Sequence, residues 1–160
     1  MRLTALFLCM SLPPKPLRTF GRHAIAEEDM NVTNARIEPT IEHGGTCRTY
    51  FMVPKEAMRA ETEGSYLEYV SEFEISAGSH LEPHRHNTHE FYYVLKGRAL
   101  MQIGTEKREV VPGDLIHIPP NAVHTIAPVG DAPLRALAFA ASFLPPGGAG
   151  SEAEKAELPG

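Results

Sequence analysis

Several things this 160-residue chain lacks restrict what it does. It has no basic block: 15 Lys and Arg against 20 Asp and Glu leave a net charge of -5. Nucleic acid and anionic membrane surfaces are therefore not expected partners, and no basic helix-turn-helix pattern is present. It has only two cysteines, Cys9 and Cys47, far apart and in unlike contexts. That excludes a disulfide framework and a thiolate metal motif, and makes a reducing, cytoplasmic setting the default. The apolar run at residues 3–12 falls short of the roughly 20 residues a membrane span needs. It also lacks the length and the small-residue cleavage site of a signal peptide. The expectation for residues 1–45 is a partly disordered extension, or a start placed too early with Met10 or Met30 as the true beginning. There is no internal repeat and no second domain.

What the chain has in quantity is punctuation. Fourteen prolines and thirteen glycines suit short strands joined by turns. Strands are predicted at 46–53, 66–75, 83–95, 98–103, 108–111, 115–118, 122–126 and 134–143. In the second of these, Leu67, Tyr69, Phe73 and Ile75 share one face, with Glu68, Glu72 and Glu74 opposite. Pro54 opens a helical turn over 55–61, since proline suits the first helical position. About eight strands without a long helix argue for an all-β, single-domain jelly roll or related sandwich-barrel over 46–144. The Gly-, Pro- and charge-rich tail, 145–160, is predicted to be disordered.

Within this pattern lies a cluster of metal-binding side chains. His84, His86 and Glu90 have the same parity, and side chains alternate between the faces of a strand. If 83–95 is one strand or a hairpin arm, these three and Tyr92 point one way, while Phe91, Tyr93 and Leu95 form an outward apolar stripe. His124 comes from a neighbouring strand as a fourth group. Three imidazoles and one carboxylate suit Fe(II), Mn(II), Ni(II), Zn(II) or Co(II), with Fe(II) leading, better than Ca or Mg. An octahedral ion there keeps two positions for water or substrate. His89 has the wrong parity and is read as structural or surface, and His80 as surface.

The stretch Gly78-Ser-His-Leu-Glu-Pro-His84-Arg-His86-Asn-Thr-His-Glu90-Phe-Tyr-Tyr-Val-Leu-Lys-Gly97 resembles the first cupin motif. Gly113-Asp-Leu-Ile-His-Ile-Pro119-Pro-Asn121-Ala-Val-His124 resembles the second, which extends to 128. Two positions depart: Asn121 stands for the family glycine, and Pro128 for the terminal asparagine. Asn tolerates the left-handed conformation that glycine supplies. The resemblance implies a cupin double-stranded β-helix, often dimeric, holding a divalent metal on His84, His86, Glu90 and His124. A homodimer is also expected because the outward stripe needs cover.

Tyr92 is the candidate catalytic residue. A phenol beside a cation has its pKa drawn down from about 10, and a metal-bound substrate carboxylate acidifies the adjacent C–H. Base and metal together could expel a β-leaving group. The pattern is similar to that of the small cupin lyases acting on dimethylsulfoniopropionate, which implies lyase activity on a small anionic molecule. The alternatives are an Fe(II) dioxygenase, a metal-dependent isomerase, and a non-catalytic small-molecule-binding cupin. Candidates for contact with an anionic substrate are Arg48, Tyr50, Lys55, Arg59 and His117.

Overall fold

The alternation of residues 66–75 becomes a nine-residue strand, Leu67–Ile75, with Tyr69, Ser71, Phe73 and Ile75 turned inward. The structure, a computed structural model, describes residues 32–34, 36–53, 58, 66–142 and 153–159. Its strands are β1 (Thr40–Glu42), β2 (Cys47–Phe51), β3 (Leu67–Ile75), β4 (His84–Arg85), β5 (His89–Lys96) and β6 (Ala99–Ile103). They continue with β7 (Glu106–Val110), β8 (Leu115–Ile118), β9 (His124–Pro128), β10 (Leu134–Ala141) and β11 (Glu154–Lys155). All pairings are antiparallel, in two sheets ordered β1-β2-β3-β10-β5-β8 and β11-β4-β9-β6-β7. The inner faces share one apolar cluster that joins Ile75, Val94, Ile118 and Leu134 of the first sheet to Met101, Val110 and Ile126 of the second. Fully burying each such side chain contributes roughly 1.5–3 kcal/mol. The expected jelly-roll architecture is therefore present.

Three features position the functional site. The inward residues of β10 are Leu134, Ala136, Ala138 and Ala140. Ala138 pairs with Ser71 and Tyr92, and Ala140 with Tyr69 and Glu90. This run of alanines leaves interior room for the two tyrosine rings and the carboxylate on the flanking strands. Next, the turn before β9 contains Asn121 at φ 62, the left-handed conformation its replacement of glycine anticipates. Its N–H donates to the His86 carbonyl at 2.7 Å, tying the second motif to the first.

The third feature corrects the expectation of one strand over 83–95. β4 belongs to the five-stranded sheet, beside β9 and β11, and β5 to the six-stranded sheet, between β10 and β8. Residues 86–88 carry the chain across. Two shorter strands extend the architecture beyond 46–144. β1 precedes residue 46 and pairs with β2. β11 lies in the tail, where disorder was expected, and adds to the edge of β4. The charges that argued for disorder act here as partners: Lys155 reaches Glu82 at 2.8 Å and Glu154 reaches Arg85 at 3.2 Å. The predicted helical turn at 55–61 lies outside the described residues except for Met58, which is buried. No helix among the described residues is long and apolar enough to cross a membrane.

Candidate metal centre

The four predicted ligands meet. One nitrogen or oxygen from each of His84, His86, Glu90 and His124 lies within 4.8 Å of all the others, and all four residues are buried. Strand β4 supplies His84, the crossover His86, β5 Glu90 and β9 His124, with His84 and His124 paired across the ladder. Both sheets therefore contribute.

Each imidazole is held from behind. His84 Nδ1 lies 2.8 Å from the Glu82 carbonyl, and His124 Nδ1 lies 2.9 Å from that of Ala122. A carbonyl only accepts, so both rings carry their proton on Nδ1 and present the Nε2 lone pair to the cluster. His86 Nδ1 lies 2.9 Å from Thr88 Oγ1, a buried hydroxyl. Its Nε2 is 2.7 Å from Glu90 Oε2. His124 Nε2 is 3.2 Å from the same oxygen but is not aligned with it. Among the described residues it is the buried side-chain nitrogen left without a hydrogen-bond partner. Buried polar atoms are rarely left so, and a cation at the centre would satisfy this one. Outward anchoring of the rings is also characteristic of metal-ligating histidine. The donor set thus fits a divalent transition metal.

The electrostatics agree with deprotonated ligands. Burial alone would push the Glu90 carboxyl up, but the adjacent His124 and His86 outweigh it and hold it below the ordinary carboxylate range. Burial, reinforced by His124, pushes His84 down to about 3. Both groups stand ready to bind a cation at neutral pH.

Tyr92 is buried and lines the same cavity as the Glu90 carboxylate, with its ring centroid 6.3 Å from that of His124. Burial and that negative charge raise its pKa well above the ordinary phenol value. Tyr69 reaches that carboxylate from β3, donating to Glu90 Oε1. Strand alternation identified Tyr69 only as a core residue. Its height along the strand, opposite Ala140, brings it to the carboxylate. A second residue outside the predicted set is His43, half-buried in the 3-10 turn His43–Gly45, with its ring centroid 4.5 Å from that of His84. Burial is the main cause that lowers its pKa.

A cavity of about 60 Å³ opens on this cluster, lined by His43, Thr49, Tyr69, Tyr92 and Ala153 among others. At roughly 10–15 Å³ per water-sized group it admits a ligand of only a few heavy atoms. Cys47 also lines it, its thiol pushed up to about 11 by burial. A larger cleft of about 430 Å³, between β6, β7 and β8, contains none of the four ligands.

The substrate-contact candidates need correction. In β2 the alternation turns Cys47 and Thr49 inward, so Arg48 and Tyr50 face out. Arg48 is half-exposed and lies 4.0 Å from Glu74. His117 is also outward: exposed, stacked on Phe91, and 2.9 Å from His89. Lys55 and Arg59 lie outside the described residues. His80 is exposed, as expected.

Residues 71–140 match the Cupin domain family model. The chain is a cupin. It is similar to an uncharacterized protein of Methanocaldococcus jannaschii, 34% identical over 103 residues, 64% of this chain and 78% of that protein. It is also 35% identical over 82 residues to a dimethylsulfoniopropionate lyase of Ruegeria pomeroyi, across 51% of this chain and 54% of that one. Among solved structures it resembles a predicted oxalate decarboxylase from Thermotoga maritima, with TM-score 0.62 and 21% identity over 71% of this chain and 100% of that one. At that identity the last match bears on the fold alone. This cupin thus brings together four residues, His84, His86, Glu90 and His124, that could hold a metal ion.

Proposed function

We propose that this cupin is a metal-dependent lyase that eliminates a β-leaving group from a small anionic molecule, with Tyr92 as the base. The observation that carries the reading is the placement of a buried phenol in the same cavity wall as Glu90, its ring centroid 6.3 Å from that of His124, in a cavity sized for a few heavy atoms. The likeness to the Ruegeria pomeroyi lyase supports the same reaction class. The three nitrogens and one oxygen of the cluster favour Fe(II), with Mn(II), Ni(II), Zn(II) and Co(II) as alternatives. Bound there, a divalent ion would supply a Lewis acid for a substrate carboxylate and positive charge that offsets the rise in the phenol pKa.

The chain's own residues account for the rest. Glu90 and the anchored imidazoles fix the centre, and Tyr69 braces Glu90 from the opposite strand. Tyr92, deprotonated, accepts the proton from the carbon next to the carboxylate. The C–H electron pair becomes the new double bond, and the leaving group departs with its own bonding pair. Buried surroundings keep water from competing for the base.

The experiment compares Tyr92→Phe with Tyr69→Phe in acrylate release from dimethylsulfoniopropionate, with metal content measured on the same samples. Tyr92→Phe should retain metal and lose at least about a hundredfold in kcat, the scale of a general base. Tyr69→Phe should fall less. An unchanged rate in Tyr92→Phe removes it as the base, and oxygen uptake by the wild type would dismiss the lyase.

A further inference from the structure

The turn between β1 and β2 carries a side chain that neither cupin motif contains. His43, Gly44 and Gly45 follow one another at φ 51, 67 and 97. Two glycines adopt this region freely, whereas a histidine there is strained. The turn is fastened, because the His43 carbonyl accepts from Thr46 Oγ1 at 2.8 Å. The strained backbone carries the imidazole into the wall of the metal cavity, with its ring 4.5 Å from that of His84. His43 does not belong to the four-residue ligand cluster. It is nevertheless the one imidazole lining this cavity beyond those of His84 and His86, and among the described residues no Lys or Arg lines it. The arginine of β2 closest in sequence, Arg48, faces Glu74 on the outside.

We propose that His43 contacts the small carboxylate at the metal centre, donating a ring N–H hydrogen bond to it and so selecting anions of a few heavy atoms. This rests on the reading that a carboxylate is held there. The role differs from that of the ligands, which hold the metal, and from that of Tyr92, which takes the proton. Placing the donor on a left-handed turn gives it a fixed direction, so little side-chain entropy is lost when the anion arrives.

The test uses full-length protein loaded with Co(II), titrated with propionate and followed by the visible absorption of the cobalt. Wild type should show a saturable spectral change. His43→Asn keeps a residue type that tolerates φ near 51 but is too short to reach, and should bind propionate about tenfold more weakly. His43→Gln restores a donor at similar reach and should stay within about threefold of wild type. Both should hold as much Co(II) as wild type. Equal propionate affinity in wild type and His43→Asn would overturn the proposal, and so would cobalt loss in both variants, which would make His43 a ligand. If wild type holds Co(II) but propionate leaves its spectrum unchanged, the carboxylate reading falls first and this one with it. Should His43→Asn fail to fold, His43→Gly, free of strain at this φ, takes its place with the same expected loss.

Discussion

Two groups of histidines lie on opposite sides of β5, and only the inner one has the donor arrangement that could hold a metal ion. His86 and Glu90 face the interior with His84 and His124, while His89, one residue before Glu90, faces outward beside His117. The outer pair resembles the inner cluster in spacing, with ring nitrogens 2.9 Å apart. Its nitrogens, however, face each other, whereas the inner rings are anchored through Nδ1 to Glu82, Ala122 and Thr88. The inner group also has a carboxylate in its midst, and the outer one stacks on Phe91 instead. Proximity of imidazoles is therefore not what makes the centre. Outward anchors leave Nε2 lone pairs converging on a buried carboxylate, and one step along a strand decides between the two outcomes.

The most severe way to break the contrast is Glu90→Gln, which keeps the shape of the side chain and removes its charge. We expect it to abolish retention of metal through dialysis, a loss of more than about a hundredfold in affinity. Thr88→Val removes only the partner of His86 Nδ1 and should weaken binding about 10–100-fold. The double variant His89→Ala/His117→Ala should bind metal like wild type. Competition with a chromophoric chelator measures all three, and metal loss in the outer double variant would erase the distinction.

A smaller effect is expected when acid acts on the metal-free protein. The folded-state pKa of His84 is about 3, against 6.5 as its ordinary value. Between those values the unfolded chain binds the proton and the folded one does not, so stability declines as pH falls from 6.5 toward 3. Glu90, held below its ordinary 4.5, adds to the loss below that pH, because its contribution is present above 4.5 and disappears on protonation. One proton per molecule corresponds to a slope near 1.4 kcal/mol per pH unit, or roughly 3–5 °C in Tm for a chain of this size. Thermal melts of chelator-treated protein from pH 7 to 4 should show at least that slope, and His84→Gln should reduce it above pH 4.5, the remainder coming from His43, whose pKa burial also lowers. A flat wild-type profile would sink the account.

These contrasts also explain what could be read in the sequence. The ligand quartet was legible because its parity survives the crossover at 86–88, although the strand that parity assumed does not exist as one piece. Tyr92 was legible for the same reason, as the residue two beyond Glu90. Tyr69 was half legible: alternation in β3 gives a face, but only the register with β10 gives the height at which its hydroxyl meets Glu90. The outward direction of Arg48 and Tyr50 was not legible, because Thr49 and Cys47, small and polar or nearly so, do not advertise themselves as the inward face of β2. His43 was invisible, since its direction depends on a left-handed turn outside both motifs. The short strand β11 was not legible, because the partners of Glu154 and Lys155, Arg85 and Glu82, lie about seventy positions earlier in sequence.

The smallest effect on the centre is expected from the rest of the outer face. Tyr93 and Leu115 are cross-strand partners on β5 and β8, 40% and 59% exposed, and Leu95 beside them is 42% exposed. Phe91 is already covered by stacking with His117 and Phe139, so the bare part of the stripe is this trio. We propose that a second copy of the chain covers it, and β8, at the sheet edge, allows a self-complementary approach about a twofold axis. Each substitution in such an interface occurs twice, so Tyr93→Glu/Leu115→Glu buries four uncompensated charges per dimer and should convert it to monomer. Sedimentation velocity reads the assembly and metal analysis reads the centre. Dimeric wild type, monomeric variant and unchanged metal content are expected together, because the trio faces away from the interior in which the four residues converge. Monomeric wild type would remove the interface. Metal loss in a properly folded variant would show that the two faces of β5 are coupled and not independent.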